Sequence, residues 1–284
     1  VSTDAHPGSS SSEPPERPRG WLRRGVRYLL YKRRVLRARE RLTRTQLEAD
    51  ERSLSMQMEA DTSTLLLAFG GMNQRIGIPP FEFFSLTGEI PVKRMFVRDL
   101  RQAWYHLGIP GAGDDLRSVR TLLAELMQQH GVRRLVVAGG SAGGYAALVY
   151  GTLLRADTVL CFSPQTTLDR SQLHRIGDRR WDDLLAPLIR RGQLDPEWVD
   201  LAVALPREQA PATRYEVFVD DSLDTDRRHA ERLRGVSGLR LYRFGAGGHT
   251  LVRELRDNGA LGVVLRRALQ TAHEPGSGPT RGGA

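Results

Sequence analysis

The chain has 284 residues, 40% of them hydrophobic, enough to fill one large α/β domain or two small ones and too many for a wholly disordered protein. Its net charge of +9 is localised: residues 21–45 hold ten Lys or Arg against one Glu, and the remaining residues carry 32 basic and 32 acidic groups. The basic excess therefore belongs to an arm, and the pI says little about what the body of the protein binds. A single cysteine, Cys161, excludes an internal disulfide, no apolar run reaches the roughly 18 residues of a membrane span, and the N-terminus lacks a secretory-signal pattern. The expectation is a cytoplasmic protein without a transmembrane segment.

In chain order, residues 1–20 and 275–284 are rich in Ser, Pro and Gly and are expected to be disordered tails. Residues 21–50 read as a basic helical arm, with Leu22, Val26, Leu29 and Leu36 near one face and arginines over the rest. The plain reading packs this arm on the domain by its apolar stripe, and the sharper one docks residues 21–45 to an acidic surface or partner. From 51 to 274, short strand-like runs alternate with helical ones. "SLSMQM", "TLLLAF" and "VKRMFV" lead to a helix near Asp115–His130, then "RRLVVA", a helix opening at Ser141, and "DTVLCF". "RYEVFV", a helix around Arg227–Leu233, "GLRLYRF" and a last helix from about Leu251 to Ala272 complete the series. This alternation predicts an α/β domain with a doubly wound, mostly parallel sheet, whose ligands bind at the carboxyl ends of the strands. Residues 164–213 form an excursion with two amphipathic stretches bearing Trp181 and Trp198, either a helical cap over the strand ends or a packed helical insert.

The chemistry concentrates in "VAGGSAGGYAA". A strand runs into Gly139-Gly140-Ser141-Ala142-Gly143 and then a helix, the context in which G-x-S-x-G carries meaning. A serine on so sharp a turn brings the residues two before and two after it face to face, so both must be small, as Gly139 and Gly143 are. The free N–H groups of the following helix point at the place where an oxyanion would develop. "GGSAGGY" resembles the nucleophile elbow of the α/β-hydrolase superfamily, in its peptidase and esterase branches.

That resemblance implies an acid and a histidine after later strands, in the order Ser, Asp, His. "DDSLDTD" follows "RYEVFV", and the superfamily position is best matched by Asp224, with Asp220, Asp221 and Asp226 close enough to substitute. "GAGGHT" follows "GLRLYRF" and carries His249; of the other histidines only His106 competes. The implied roles are nucleophile for Ser141, general base for His249 and orienting acid for Asp224, with oxyanion N–H donors from Ala142 and from Gly71 or Met72. The expected function is a serine hydrolase cleaving a small-molecule carboxylic ester or thioester through an acyl-enzyme on Ser141. An acyltransferase using the same triad and a catalytically silent scaffold of the same fold are the alternatives, and nucleic-acid binding through the arm ranks last. "GIPGAGDD" does not follow a strand, so no dinucleotide site is expected, and no ligand spacing points to a metal; the chemistry needs no cofactor.

Overall fold

The computed structural model describes residues 53–72, 83–84, 86–208 and 212–270. The expected tails and the basic arm 21–50 lie outside the described residues. Among the described residues, seven strands form one sheet: β1 (Leu54–Gln57), β2 (Thr64–Phe69), β3 (Lys93–Val97), β4 (Arg134–Gly140), β5 (Thr158–Phe162), β6 (Arg214–Asp220) and β7 (Leu239–Phe244). Their order is β1-β3-β2-β4-β5-β6-β7, with every neighbouring pair parallel except β1 with β3. The doubly wound, mostly parallel sheet read from the sequence is therefore the observed one.

The central strands are apolar on both sides because both sides are covered. Leu65, Leu67 and Phe69 of β2, Val137 of β4, and Val159 and Cys161 of β5 enter one core. Leu66, Ala68, Val136, Ala138, Leu160 and Phe162 enter the other. Each such Leu, Val or Phe stabilises the fold by about 1.5–3 kcal/mol relative to an exposed position. Helices α1 (Leu116–Gln129) and α2 (Ala142–Leu153) cover the first face. Asp115 starts α1 with a reciprocal capping box to Ser118. α2 has eleven buried residues and is apolar all round, as a helix sunk between sheet and outer helices must be.

The second face is covered by α7 (Leu251–Asp257) and α8 (Ala260–Gln270). The sequence reading made these one helix. Gly259, at φ 85°, turns the chain between them, and the Asn258 side chain accepts the Ala260 N–H at 3.0 Å, restarting the helix in a new direction. Among the described residues of 164–213 lie three helices rather than two: α3 (Arg170–Arg175), α4 (Asp182–Arg190) and α5 (Leu201–Glu208). Leu173, Leu185, Trp198, Leu201 and Leu205 of this insert join the core around α2. Trp181 meets Trp104 edge-on at 5.7 Å between ring centres. The insert is thus a packed helical layer. A short helix α6 (Asp224–Glu231) follows β6.

Candidate active site

β2 is flanked by β3 on one side and β4 on the other, so the winding direction reverses between β2 and β4. Ligands of such sheets bind in the crevice outside the strand ends at that reversal. The turn 70–72 leaves β2 there and Ser141 leaves β4 there.

Ser141 has φ 55° and ψ −121°, outside the regions that side-chain-bearing residues prefer, at a cost of about 1–3 kcal/mol. The surroundings fix it. Its N–H donates to the Phe162 carbonyl at 2.9 Å, and its carbonyl accepts from Tyr145 N at 3.0 Å. The two glycines are a packing necessity. A Cβ at Gly139 would sit 2.0 Å from the Gly143 carbonyl oxygen, and one at Gly143 would sit 2.3 Å from that of Phe69. Ala142 is the first residue of α2, so its N–H has no partner within the helix.

His249 lies in a single turn of 3-10 helix, Gly248–Thr250, directly after the loop that follows β7. Its Nε2 is 2.8 Å from Ser141 Oγ, and its Nδ1 is 2.6 Å from Asp226 Oδ2. An ionised carboxylate only accepts, so the ring proton resides on Nδ1 and Nε2 offers its lone pair to the serine hydroxyl.

The carboxylate on the histidine is that of Asp226, not Asp224. Residues two apart on a helix differ by about 200° around its axis, so the two face opposite ways. Asp226 is 1% exposed and turned inward, whereas the Asp224 side chain is 54% exposed and pairs with Arg227 and Arg228 at the helix start. Asp221 pairs with Arg243 at 2.7 Å. Asp220 does not touch the imidazole either: Oδ2 accepts the Gly248 N–H at 2.5 Å and Oδ1 that of Ser222 at 2.8 Å, which steadies the histidine loop. Burial works to raise the Asp220 pKa, and these two backbone bonds together with the Ser222 hydroxyl outweigh it and lower it. The missed signal was periodicity: Asp226, His229 and Ala230 form the buried stripe of α6, and Leu233 continues it.

Across the crevice, a Cβ on Gly71 would lie 3.9 Å from Ser141 Cβ and 3.3 Å from the Gly140 carbonyl oxygen, so the turn 70–72 packs over the elbow. Met72 is buried in the core on the α1 and α2 side. The turn is held by residues that the sequence reading did not single out. The Tyr105 hydroxyl donates to the Gly70 carbonyl at 2.8 Å. Tyr105, Trp104 and Gln102 all have positive φ, of 66°, 50° and 52°. The buried Asp99 carboxylate accepts from the N–H groups of Ala103 (2.7 Å), Tyr105 (2.9 Å) and Arg101 (3.1 Å) and so fixes this strained loop. Burial raises the Asp99 pKa against the pull of those bonds. His106 is remote from Ser141 in its bonding: Nδ1 accepts the Asp195 N–H at 2.9 Å and Nε2 meets the Tyr145 hydroxyl at 2.8 Å, with burial pushing its pKa down to about 3. Phe83 packs against Phe162 in the second core. Among the described residues no group of three His, Cys, Asp or Glu side chains is placed to hold a metal ion, and no helix is long and apolar enough to cross a membrane.

No family model and no curated protein matches the chain. Solved structures do. The Glycosylation Associate Protein (Gap123) complex of Streptococcus agalactiae superposes with a TM-score of 0.55 at 16% identity, over 78% of this chain and 44% of that one. The 2,6-dihydroxy-pseudo-oxynicotine hydrolase gives 0.54 at 13% identity, over 76% of this chain and 64% of its own. A putative esterase from Staphylococcus aureus gives 0.53 at 11%, over 74% and 76%. This chain spans less than two thirds of the first two. Strand order, the helices on both faces and these superpositions define the fold as the α/β-hydrolase fold.

Proposed function

We propose that the protein is a serine hydrolase that cleaves a carboxylic ester or thioester through an acyl-enzyme on Ser141. The observation that carries this reading is the unbroken chain from Ser141 Oγ to His249 Nε2 at 2.8 Å and from His249 Nδ1 to Asp226 at 2.6 Å. As Ser141 Oγ attacks the acyl carbon, His249 Nε2 takes the hydroxyl proton, and Asp226 holds the ring in the right tautomer and stabilises the imidazolium. The imidazolium then protonates the departing alcohol or thiol. In the second half, water attacks the acyl-enzyme with His249 again as base, releasing the acid and restoring the serine.

The oxyanion of each tetrahedral intermediate is assigned to the Ala142 and Gly71 N–H groups. Gly71 is favoured over Met72 by peptide geometry: a trans peptide points its N–H opposite its C=O, and the Gly70 carbonyl is tied to Tyr105, so the Gly71 N–H points away from that ring. The strain at Ser141 supports the same reading, since a strained serine between two obligatory glycines is a device that presents Oγ. A panel of p-nitrophenyl acyl esters and acyl thioesters tests the proposal. We expect turnover by the wild type of at least one acyl class, and loss of that turnover by about 10³-fold or more in Ser141→Ala. Equal turnover by both proteins would refute it.

A further inference from the structure

The acid of the proposed triad is held by the helical insert. Asp226 uses one carboxylate oxygen for His249; the other, Oδ1, accepts from Arg180 Nη2 at 3.0 Å. Arg180 belongs to the segment between α3 and α4, far from α6 in sequence. Its own position is set by a fork onto Asp178: Nη2 to Oδ2 at 2.7 Å and Nε to Oδ1 at 2.9 Å, with the Arg180 N–H on Oδ1 at 3.0 Å. Asp178 in turn meets His229 Nε2 at 3.1 Å. His229 Nδ1 accepts the Thr166 N–H at 3.1 Å, so its ring proton must be on Nε2 and is given to Asp178. An Nδ1 that accepts leaves the ring neutral, and burial lowers the His229 pKa in the same sense.

This network closes on itself. Asp226 and His229 are three residues apart on the same face of α6, and Asp178 and Arg180 bridge them from the insert. Asp178, Asp226 and His229 side chains are 0–1% exposed, so the two carboxylates need the guanidinium between them. With His229 neutral, two carboxylates and one guanidinium leave one negative charge, which an imidazolium at His249 would balance.

We propose that Arg180 is a positioning residue, through which the insert clamps Asp226 in the orientation that holds His249. The inference rests on the triad reading for its effect on rate, and on geometry alone for its effect on the imidazole. An arginine is required because one planar fork must serve two carboxylates; a lysine keeps the charge and loses the fork.

The test compares full-length wild type, Arg180→Met, Arg180→Lys, Asp178→Asn and, as a control outside the network, Asp224→Asn. Two readouts are taken: the downfield proton resonance of His249 Nδ1–H, assigned by its loss in His249→Gln, and the saturation kinetics of fluorophosphonate labelling. We expect Arg180→Met to shift or abolish the resonance and to lower the maximal labelling rate about 10–100-fold, with half-saturation changed less than about threefold. Arg180→Lys should recover part of both and Asp224→Asn should change neither. If Arg180→Met does not fold, Asp178→Asn, which keeps size and removes one charge, should move the resonance. A resonance unchanged in whichever of these variants folds overturns the proposal. If the wild type is not labelled, the triad reading falls, and the resonance alone decides whether the clamp stands.

Discussion

Two aspartates that differ little in sequence have opposite surroundings, and that contrast gives the sharpest residue-scale expectation. Asp226→Asn should lower kcat on an accepted ester by roughly 10⁴-fold, because an amide in place of the carboxylate removes the charge and permits the wrong imidazole tautomer. Asp224→Asn should stay within about twofold, because that side chain is more than half exposed and pairs only with neighbouring arginines. The elbow glycines give a stability expectation. Gly139→Ala forces a Cβ to within 2.0 Å of a backbone carbonyl, and should cost at least about 2–3 kcal/mol in urea unfolding or prevent folding. Ser141 and its glycines were legible because a sharp strand-to-helix turn imposes a local composition. The acid was read as Asp224 rather than Asp226 because four aspartates crowd the seven residues from the end of β6 into α6, and what selects between those two is which side of α6 faces inward. Tyr105 and Arg180 left no local mark, since each acts by reaching a partner far along the chain, and Asp99 left none because its work is to cap the strained turn Arg101–Tyr105.

At the scale of elements, the order of strands and helices followed from hydrophobic pattern, and the departures have identifiable causes. α3 is six residues long, too short for periodicity, and is set by the Asp169 carboxylate accepting the Gln172 N–H at 2.9 Å. The break between α7 and α8 was written in Asn258-Gly259, a pair suited to a helix end. Gly259→Ala should cost about 1 kcal/mol without fusing the two helices, because space for a methyl is open and only the positive φ resists it. Chemical denaturation compared with far-UV circular dichroism reads both quantities. The insert 164–213 left its role open in the sequence. Its helices share a core with α2, its Arg180 reaches Asp226 and its Asp178 reaches His229, so the insert is tied to the buried face of α6.

Across the whole molecule, two buried histidines tie stability to pH. His106 has its pKa pushed down to about 3, and His229 is also lowered, both chiefly by burial. An unfolded histidine takes a proton near pH 6.5. Below that value the unfolded chain binds more protons than the folded one, so stability is full above about pH 6.5 and falls as pH drops towards the folded value. The slope for His106 is about 1.4 kcal/mol per pH unit across that window, and His229 adds to it in the same direction. Unfolding free energies at pH 7, 6 and 5 should show this fall, and His106→Gln should flatten it. A stability independent of pH over that range would contradict the neutral, buried placement of these rings.

The proposed function places its chemistry on one activated serine, Ser141, and intact-mass analysis after fluorophosphonate treatment reads that proposal most directly. The wild type should gain the mass of a single phosphonyl group, while Ser141→Ala gains none and Asp226→Asn gains it far more slowly. Addition to Ser141→Ala at the wild-type rate, or no addition to the wild type, would contradict the assignment of Ser141 as the nucleophile.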